Sequence, residues 1–507
     1  MILNFLKNIP VILSLTFIVS CQAQEKKQPN ILFILSEDMS TDLACYGMQA
    51  VKTPVLDELA ATGIQYMNAF GTNSICSPSR SNMMTGVHQN RINAQHHRSN
   101  RKIPLKAPYK PITSYLREAG YTCIIGHKKI NKTSKKIDVN FKHSMVGAWD
   151  GTQQFGLFDK KDVIEVGDQP FFAQVTLNVT HRGNWWNKTR NNSTHKVNPK
   201  EVVLPPHYAD TPEIRMDWAK YLDQIEKMDD QVGILLDEIE NKGMRDNTIV
   251  IFLADNGRCN VRGKGYLYDP GLRLPLIVNW PANISGGKKD ERLVASVDVA
   301  ATILESAGIE LPSYMTAKSI LSTSDKERAY VYSARDLWDE ILEQSRAIST
   351  KKYRYIKNNI TEQSLDAHQA YLEFNRPAVH IMRTLYQEDK LSPLQAHFFS
   401  PKKEEEELYD IVNDPFEEHN LIKDPKYRSV LEQMKIYYED WHQKNHDYGL
   451  EPIVWENCPP PKAPKIMAWI KKEKPEILKA MQSGKQTDLN KLAKEFKNYK
   501  QTKKQLP

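Results

Sequence analysis

The chain has 507 residues, of which 40% are hydrophobic and 26% are charged. This composition is ordinary for a globular protein and excludes a disordered or low-complexity chain, while the length predicts two domains. The formal charge of +7 is misleading, because residues 462–507 contain thirteen lysines against four acidic residues. The rest of the chain is slightly acidic, so we expect no nucleic-acid partner.

The first residues have the pattern of an export signal. Lys7 precedes an apolar run over residues 11–19, which is too short to span a bilayer but fits the hydrophobic part of a signal peptide. The run leads into Val19, Ser20 and Cys21, which resembles a bacterial lipoprotein signal. That resemblance implies that residues 1–21 form a lipoprotein-type signal. After its cleavage, Cys21 is lipidated and anchors the exported protein to a membrane in the periplasm or at the cell surface. The alternative is an ordinary signal peptide in which Cys21 has no role.

Alternating strands and helices follow. Residues 30–35 and 248–253 are continuous apolar runs, the pattern of buried parallel strands, and 123–126 and 169–177 are predicted as further strands. A helix is predicted to start at Pro54, a residue suited to the first helical position, and a long one over 217–240. This alternation predicts an open α/β sheet in a domain over residues 22–325.

The composition changes near residue 325. Residues 329–333 and 353–357 are predicted as strands of a smaller antiparallel sheet, and about 427–444 as a helix, in a domain over residues 326–460. The lysine-rich tail, 461–507, is predicted to be mainly a solvated appendage.

Polar residues follow both buried apolar strands. Glu37 and Asp38 follow the first strand, and Asp255 and Asn256 follow the second. Ligands of open α/β sheets bind at the carboxyl ends of strands, and these side chains offer only oxygen, which suits calcium or magnesium. Each acid alone is more often a turn or helix cap, but two such clusters favour a metal site.

The segment from Cys76 to Gly86 carries the most specific signal. Cys76, Pro78, Ser79 and Arg80, with Thr85 and Gly86 behind them, resemble the signature of the sulfatase family, in which the cysteine is oxidised to formylglycine. Further matching positions between Pro29 and Leu421 are Asn30, Thr53, Pro54, Asp57, Ala60, Gly63, Asn68, Phe70, Gly263, Tyr268, Pro275, Glu407, Asp410, Asp414 and Asn420.

The resemblance implies a fold: an alkaline-phosphatase-like α/β sandwich with a large mixed sheet flanked by helices, plus a smaller C-terminal domain with a short antiparallel sheet. It also implies a formylglycine-generating maturation enzyme that reads the segment around Cys76. Among sulfatases the chain is most similar to the heparan N-sulfatase branch, which includes bacterial polysaccharide sulfatases.

Carried over position by position, the resemblance implies that Glu37, Asp38, Asp255 and Asn256 hold one Ca2+, or Mg2+, together with the group made from Cys76. Glu37 departs from the family, which usually has aspartate there. Arg80, His181 and Lys264 would contact formylglycine or sulfate.

A second departure concerns the loop that follows the strand at 123–126. The family usually has Gly-Lys-x-His here, whereas this chain has Gly126, His127, Lys128 and Lys129. Either His127 and Lys129 fill the same space or the loop is realigned. The general acid is therefore expected to be His127, His181 or Lys129.

Two groups of residues are hypotheses for sugar binding. Arg335, Asp336, Asp339 and Glu340 could reach sugar hydroxyls, or they could be a solvated helix start. Trp185 and Trp186 could stack on a sugar, or they could pack in the core.

The sequence favours a sulfatase acting on a sulfated polysaccharide or its oligosaccharides, with an algal polymer such as ulvan or carrageenan preferred. N-sulfated glucosamine of heparan-type chains is the alternative substrate. A phosphodiesterase or phosphonate hydrolase of the same superfamily is a weaker alternative, because phosphodiesterases usually have Thr or Ser at the position of Cys76. An alternative of another class is a glycan-binding lipoprotein with a decayed site.

Overall fold

The structure is a computed structural model that describes residues 28–147, 156–322, 327–460, 463–485 and 487–505. The strands are β1 (Asn30–Ser36), β2 (Ile64–Phe70), β3 (Thr122–Ile125), β4 (Ser144–Val146), β5 (Gly156–Phe158), β6 (Lys160–Lys161), β7 (Phe171–Leu177), β8 (Thr248–Ala254), β9 (Leu276–Asn279), β10 (Lys288–Ala295), β11 (Val331–Trp338), β12 (Ile341–Ser349), β13 (Tyr353–Asn358) and β14 (Glu406–Asp410). The helices are α1 (Pro54–Ala61), α2 (Cys76–Thr85), α3 (Ile112–Glu118), α4 (Trp185–Asn192), α5 (Pro212–Asn241), α6 (Asp269–Leu272), α7 (Asp298–Ser306), α8 (Ala370–Asn375), α9 (Pro377–Gln387), α10 (Pro393–Ala396), α11 (Arg428–Lys444), α12 (Ala463–Glu473), α13 (Pro475–Gln482) and α14 (Leu489–Gln505).

The large sheet has eight strands in the order β10-β2-β9-β8-β1-β7-β3-β6. β1 lies in the middle and pairs in parallel with both β8 and β7, while β9 runs antiparallel between β2 and β8. The predicted α/β sheet is thus confirmed as a mixed sheet. Every residue of β1, β7 and β8 is buried, as expected of strands covered on both faces.

The helices around this sheet form two groups. α5 contacts α1 and α4, while α7 contacts α2 and α3. α5 is longer than the predicted helix, because Thr211 caps its start by accepting a hydrogen bond from Ile214 N and Pro212 occupies the first turn.

The second sheet has four antiparallel strands in the order β11-β12-β13-β14. The predicted strands and the predicted helix at 427–444 are confirmed, although β11 is longer than expected and β12 lies between the two predicted strands. α11 packs on this sheet through Met434 and Trp441.

The prediction of a solvated tail is wrong for the described residues. α12, α13 and α14 form a small core in which Ile466, Trp469 and Ile470 are buried against Ala370 and Phe374 of α8. The helical spacing of these apolar residues was visible in the sequence, but the surface that they cover lies about 100 residues earlier in the chain.

Candidate active site

The predicted acidic clusters meet at one edge of the large sheet. β1 and β8 are in register, with Ser36 paired to Ala254, so the residues that follow both strands lie side by side. Asp38 N donates to Asp255 Oδ1 at 3.2 Å, and Asn256 Nδ2 donates to Asp38 Oδ1 at 3.0 Å. All four side chains that were predicted to bind a metal, those of Glu37, Asp38, Asp255 and Asn256, are buried here.

Cys76 is the first residue of α2 and faces these carboxylates. Its Sγ lies 3.0 Å from Lys264 Nζ and 3.8 Å from Asp38 Oδ1, and the residue is only 1% exposed. Burial, and then Asp255, raises the pKa of the thiol to about 12, although Lys264 opposes the shift. Burial of the unmodified side chain therefore favours the protonated thiol over the thiolate.

Three cations balance the three carboxylates. Arg80 donates from Nη2 to Glu37 Oε1 and from Nε to Asp255 Oδ2, each at 2.8 Å. Lys264 Nζ lies 2.6 Å from Asp38 Oδ1. Burial raises the pKa of Asp38, but Lys264 and then His181 outweigh it, so the pKa lies below its usual value and the carboxylate stays ionised.

The third cation is Lys136, which the sequence analysis missed. Its ammonium group pairs with Glu37, and its carbonyl oxygen accepts from Arg80 Nη1 at 3.1 Å. The loop after β3 turns back on itself at Gly126, where an added Cβ would lie 2.3 Å from Lys135 Cγ. This return brings Lys136, rather than the residues directly after Gly126, to the site.

The expectation that His127 and Lys129 fill the family's lysine and histidine positions is corrected accordingly. His127 Nε2 lies 3.3 Å from Glu238 Oε2, and Lys129 Nζ lies 2.8 Å from the same oxygen. Both side chains are thus engaged with α5. The sequence signal that could have indicated the realignment is a second lysine with an ionisable residue two positions on, Lys136 and Asp138.

His181 lies at the site and is partly exposed. Its Nε2 is 3.7 Å from Asp38 Oδ2, and its Nδ1 lies 3.0 Å from the carbonyl oxygen of Arg182. A carbonyl only accepts, so Nδ1 carries the proton in the neutral ring and Nε2 offers a lone pair toward Asp38. Burial lowers the pKa of His181 to about 4, against the opposing effect of Asp38.

Tyr371 of α8 is a further site residue that the sequence did not indicate. Its hydroxyl donates to Asp38 Oδ2 at 2.8 Å, and its ring lies edge-on to His181 with 5.9 Å between centroids. Trp185 lies on the other side of His181, at 6.5 Å. Trp186 is instead buried beneath the guanidinium of Arg182, which supports core packing for that residue.

The donor set fits a hard divalent cation. Asn256 Oδ1 is a buried oxygen without a hydrogen-bond partner among the described residues, and three carboxylates converge beside it. Buried oxygens are normally paired, and carboxylate and amide oxygens are the ligands that Ca2+ and Mg2+ prefer.

The four residues predicted to bind sugar separate into two pairs. Arg335 is buried over the ring of Tyr266 and pairs with Glu343, and Asp336 is fully buried against Arg346, so the predicted role of both is corrected to a structural one. Asp339 and Glu340 form the turn between β11 and β12.

That turn reaches the neighbourhood of the site. Asp339 Oδ1 lies 2.8 Å from His97 Nδ1, and its Oδ2 accepts from Gln369 at 2.5 Å. Glu340 Oε1 accepts from Ala370 N at 2.8 Å. Burial, and then Asp339, raises the pKa of Glu340 to about 7.

The proposed lipidation site, Cys21, lies outside the described residues. Within the described residues, every helix is too short or too polar to cross a bilayer.

Comparison with known proteins agrees with this geometry. A family model described as Sulfatase matches residues 29–309, and a second, described as N-sulphoglucosamine sulphohydrolase, C-terminal, matches residues 257–397. An ulvan-active sulfatase from Formosa agariphila is 30% identical over 459 residues, which cover 82% of this chain and 75% of the relative.

Two further similarities point in the same direction. The N-sulphoglucosamine sulphohydrolase of Homo sapiens is 27% identical over 480 residues, covering 84% of this chain and 92% of the relative. The solved structure of BT4656 in complex with its substrate D-glucosamine-2-N,6-O-disulfate has a TM-score of 0.56 at 17% identity, covering 84% of this chain and all of that one, and shows the shared fold. The fold, the site and these matches lead to one conclusion: the chain belongs to the sulfatase family and is a sulfuric ester hydrolase.

Proposed function

We propose that this sulfatase hydrolyses sulfate esters of a sulfated algal polysaccharide or its oligosaccharides, with ulvan as the first substrate to test. We further propose that it uses formylglycine made from Cys76 and one bound Ca2+. The observation that carries the proposal is that Lys264, 3.0 Å from Cys76 Sγ, and the oxygen cluster meet at Cys76, where Asn256 Oδ1 has no hydrogen-bond partner among the described residues. The similarity to ulvan-active sulfatases supports the choice of polymer.

Bound to Glu37, Asp38, Asp255 and Asn256, the metal would polarise the sulfate oxygens and help to activate the nucleophile. In its hydrated form, the aldehyde made from Cys76 would supply a hydroxyl group as that nucleophile.

The remaining chemistry belongs to side chains of the chain itself. Lys264 lies against Cys76 Sγ, the atom that oxygen replaces when formylglycine forms, so its ammonium group can stabilise negative charge on oxygen there. Arg80 is held by Glu37 and Asp255 and fixes their carboxylates in place. Lys136, on the far side of Glu37, adds a cation for the sulfate group.

Proton transfer is assigned to His181. Of the three groups considered from the sequence, His127 and Lys129 are engaged by Glu238, whereas His181 directs Nε2 toward Asp38. In the neutral ring Nε2 holds a lone pair, so it would first accept the proton that the nucleophilic hydroxyl releases on attacking the sulfate group, and would then pass this proton to the oxygen of the leaving sugar.

The experiment that tests the proposal begins with mass spectrometry of the peptide containing Cys76, from protein co-expressed with a formylglycine-generating enzyme. We expect conversion of the thiol to the aldehyde, followed by sulfate release from ulvan oligosaccharides in the presence of calcium. Conversion without sulfate release from any sulfated saccharide would contradict the proposed activity. An unmodified thiol with glycan binding would favour the decayed glycan-binding protein.

The second substrate is N-sulfated glucosamine, and one observation favours it. The second family match, over residues 257–397, carries the description of an N-sulphoglucosamine sulphohydrolase. Release of sulfate from N-sulfoglucosamine, and none from ulvan oligosaccharides, would replace the first substrate by the second.

We also propose export as a lipoprotein anchored through Cys21. The apolar run at 11–19 and the residues up to Cys21 support it. Replacing Cys21 by serine should move the protein from the membrane fraction to the soluble fraction. If wild type and Cys21→Ser are both found in the soluble fraction, the lipid anchor is contradicted.

A further inference from the structure

A second charged cluster borders the site, and it is defined by Arg98, Arg101 and Asp138. Arg98 Nε lies 3.4 Å from Asp138 Oδ1, and Arg101 pairs with the same oxygen. The two arginine side chains are 42% and 41% exposed, whereas the carboxylate between them is nearly buried. The cluster thus presents two guanidinium groups to solvent on a buried anionic support.

This rim cluster is joined to the site from two directions. Arg98 N donates to Ser77 Oγ at 2.8 Å, one residue after Cys76. Lys136 Nζ lies 3.4 Å from Asp138 Oδ2 and also pairs with Glu37. The two arginines are therefore fixed next to the position at which a sulfate ester would react.

Backbone geometry shows that the placement is imposed by the surroundings. Arg98 and Asp138 both have a φ of 56°, in the left-handed region that residues with a side chain seldom adopt. Such conformations persist where the neighbouring structure fixes them, and they cluster at functional sites. Here they turn Arg98 and Asp138 toward each other across two separate loops.

The positive charge of Arg98 and Arg101 is only partly neutralised by carboxylates of the protein. Asp138 is shared among Arg98, Arg101 and Lys136, and the next carboxylate, that of Asp339, is already engaged by His97 and Gln369. Among the described residues, the only hydrogen bonds of Arg98 are those from Nε and from the backbone N, so both terminal nitrogens remain available. A guanidinium group with available terminal N–H groups can donate hydrogen bonds to a planar or tetrahedral anion.

We propose that Arg98 and Arg101 form a subsite for a second anionic group of the substrate, a carboxylate or a sulfate on the sugar next to the ester that is hydrolysed. This inference rests on the proposed function, because it assigns a substrate feature to the same site. It gives the enzyme a preference for sugars that carry two negative charges at a fixed spacing. Asp138 is the positioning residue that holds both guanidinium groups.

The test compares kcat/KM on two substrate pairs, using matured full-length enzyme. The first pair is an ulvan oligosaccharide and its carboxyl-reduced form, and the second is N,6-O-disulfated glucosamine and 6-O-sulfated N-acetylglucosamine, so that both members of each pair keep a sulfate ester. In at least one of the two pairs, we expect Arg98→Gln and Arg101→Gln to lower the preference for the doubly charged member by about tenfold to one-hundredfold. The control is Arg428→Gln on α11, where the side chain is 83% exposed and pairs only with Glu432 among the described residues, and it should leave both ratios unchanged.

The two pairs also separate the sources of the anion. A changed ratio in the ulvan pair alone assigns a carboxylate, and a changed ratio in the glucosamine pair alone assigns a sulfate. An equal loss on both members of each pair overturns the subsite, since the arginines then act on the reaction itself or on folding.

A binding measurement keeps the subsite testable even if the proposed function fails. Calorimetry would compare the desulfated ulvan product, which retains its carboxylates, with its carboxyl-reduced form, on wild type and Arg98→Gln. We expect wild type to bind the acidic product at least tenfold more tightly, and the variant to lose that difference. Equal binding of both products by wild type, in an enzyme without sulfatase turnover, would overturn both proposals. Selective binding without turnover would overturn only the proposed function.

Discussion

Two buried ionic clusters lie on opposite sides of the boundary between the sheets, and they are built from the same kinds of residues. The site cluster consists of Glu37, Asp38 and Asp255 with Arg80, Lys136 and Lys264. The second-sheet cluster consists of Asp336, Arg346 and Asp447, where Arg346 Nη2 lies 2.9 Å from Asp336 and 3.1 Å from Asp447. Both clusters remove charged groups from water, which is favourable only when those groups are well paired.

The clusters differ in how completely they are satisfied. In the second-sheet cluster, Asp447 accepts from Arg346, Asn90 and Tyr332, and every side-chain nitrogen and oxygen of its three members has a partner or some exposure. Beside the site cluster, Asn256 Oδ1 is buried without a hydrogen-bond partner among the described residues, and Lys136 and His181 are partly exposed. Burial of charge alone therefore does not identify a functional site; the two clusters differ in the unpaired amide oxygen and the partly exposed side chains that lie beside the carboxylates of the site cluster.

The largest effect should come from Cys76→Ala. Loss of the nucleophile should lower kcat for sulfate release by about 10⁴-fold or more, because the remaining site residues cannot replace it. The thermal midpoint should stay close to that of wild type, since the buried side chain shrinks only from a thiol to a methyl group. Residual activity within tenfold of wild type would show that the site cluster, like the second-sheet cluster, has a structural and not a catalytic role.

Breaking the second-sheet cluster should act on stability instead. Arg346→Leu leaves Asp336 and Asp447 buried without their cation and should cost about 3–5 kcal/mol of unfolding free energy. Denaturation followed by circular dichroism measures this change, and exposed Arg428→Leu is the control, with an expected change of about 0.5 kcal/mol or less. Unchanged stability in Arg346→Leu would remove the distinction drawn between the two clusters.

Two lysines of one loop provide a matched pair for catalysis. Lys136→Ala removes a cation beside Glu37 and should lower kcat about 10²- to 10³-fold, the usual effect of losing one electrostatic donor. Lys129→Ala removes the same side chain from a contact with Glu238 and should leave kcat within about twofold. Equal losses of kcat in the two variants would support the expectation from the sequence that Lys129 lies at the site.

The smallest effect concerns metal binding and stability. Calcium at about one hundred times its dissociation constant should stabilise the enzyme by about 2.7 kcal/mol, and EDTA should reverse the gain. Thermal unfolding with and without calcium measures this, and Asn256→Ala should reduce the response. If calcium does not change the thermal midpoint of the wild-type protein, the assignment of the site cluster as a metal site is contradicted.

The sequence predicted those parts of the site that follow from the local pattern of residues along the chain. The apolar runs of β1 and β8 identify buried parallel strands, and the parallel pairing of Ser36 with Ala254 places Glu37 and Asp38 beside Asp255 and Asn256. Lys136 was missed because its position depends on how the loop folds back at Gly126, which is a matter of close packing and not of pattern.

Contacts between distant segments were also beyond the sequence. Tyr371 donates to a residue 333 positions earlier in the chain, and nothing in its local sequence indicates that contact. Asp336 was misassigned for a similar reason. Its partner Arg346 lies on the neighbouring strand, and Asp447, which also pairs with Arg346, follows α11.

The burial of α2 sets a time order for the proposed conversion of Cys76 to formylglycine. All ten residues of this helix, including Cys76 and Arg80, are inaccessible in the folded protein. A modifying enzyme that reads this segment must therefore meet it as an extended chain, during synthesis or export and before the large sheet closes. Under the proposed mechanism, a molecule that folds with an unconverted Cys76 would stay inactive, so the active fraction of a preparation would be fixed at the moment of folding. Adding a maturation enzyme to the purified, folded protein would then come too late.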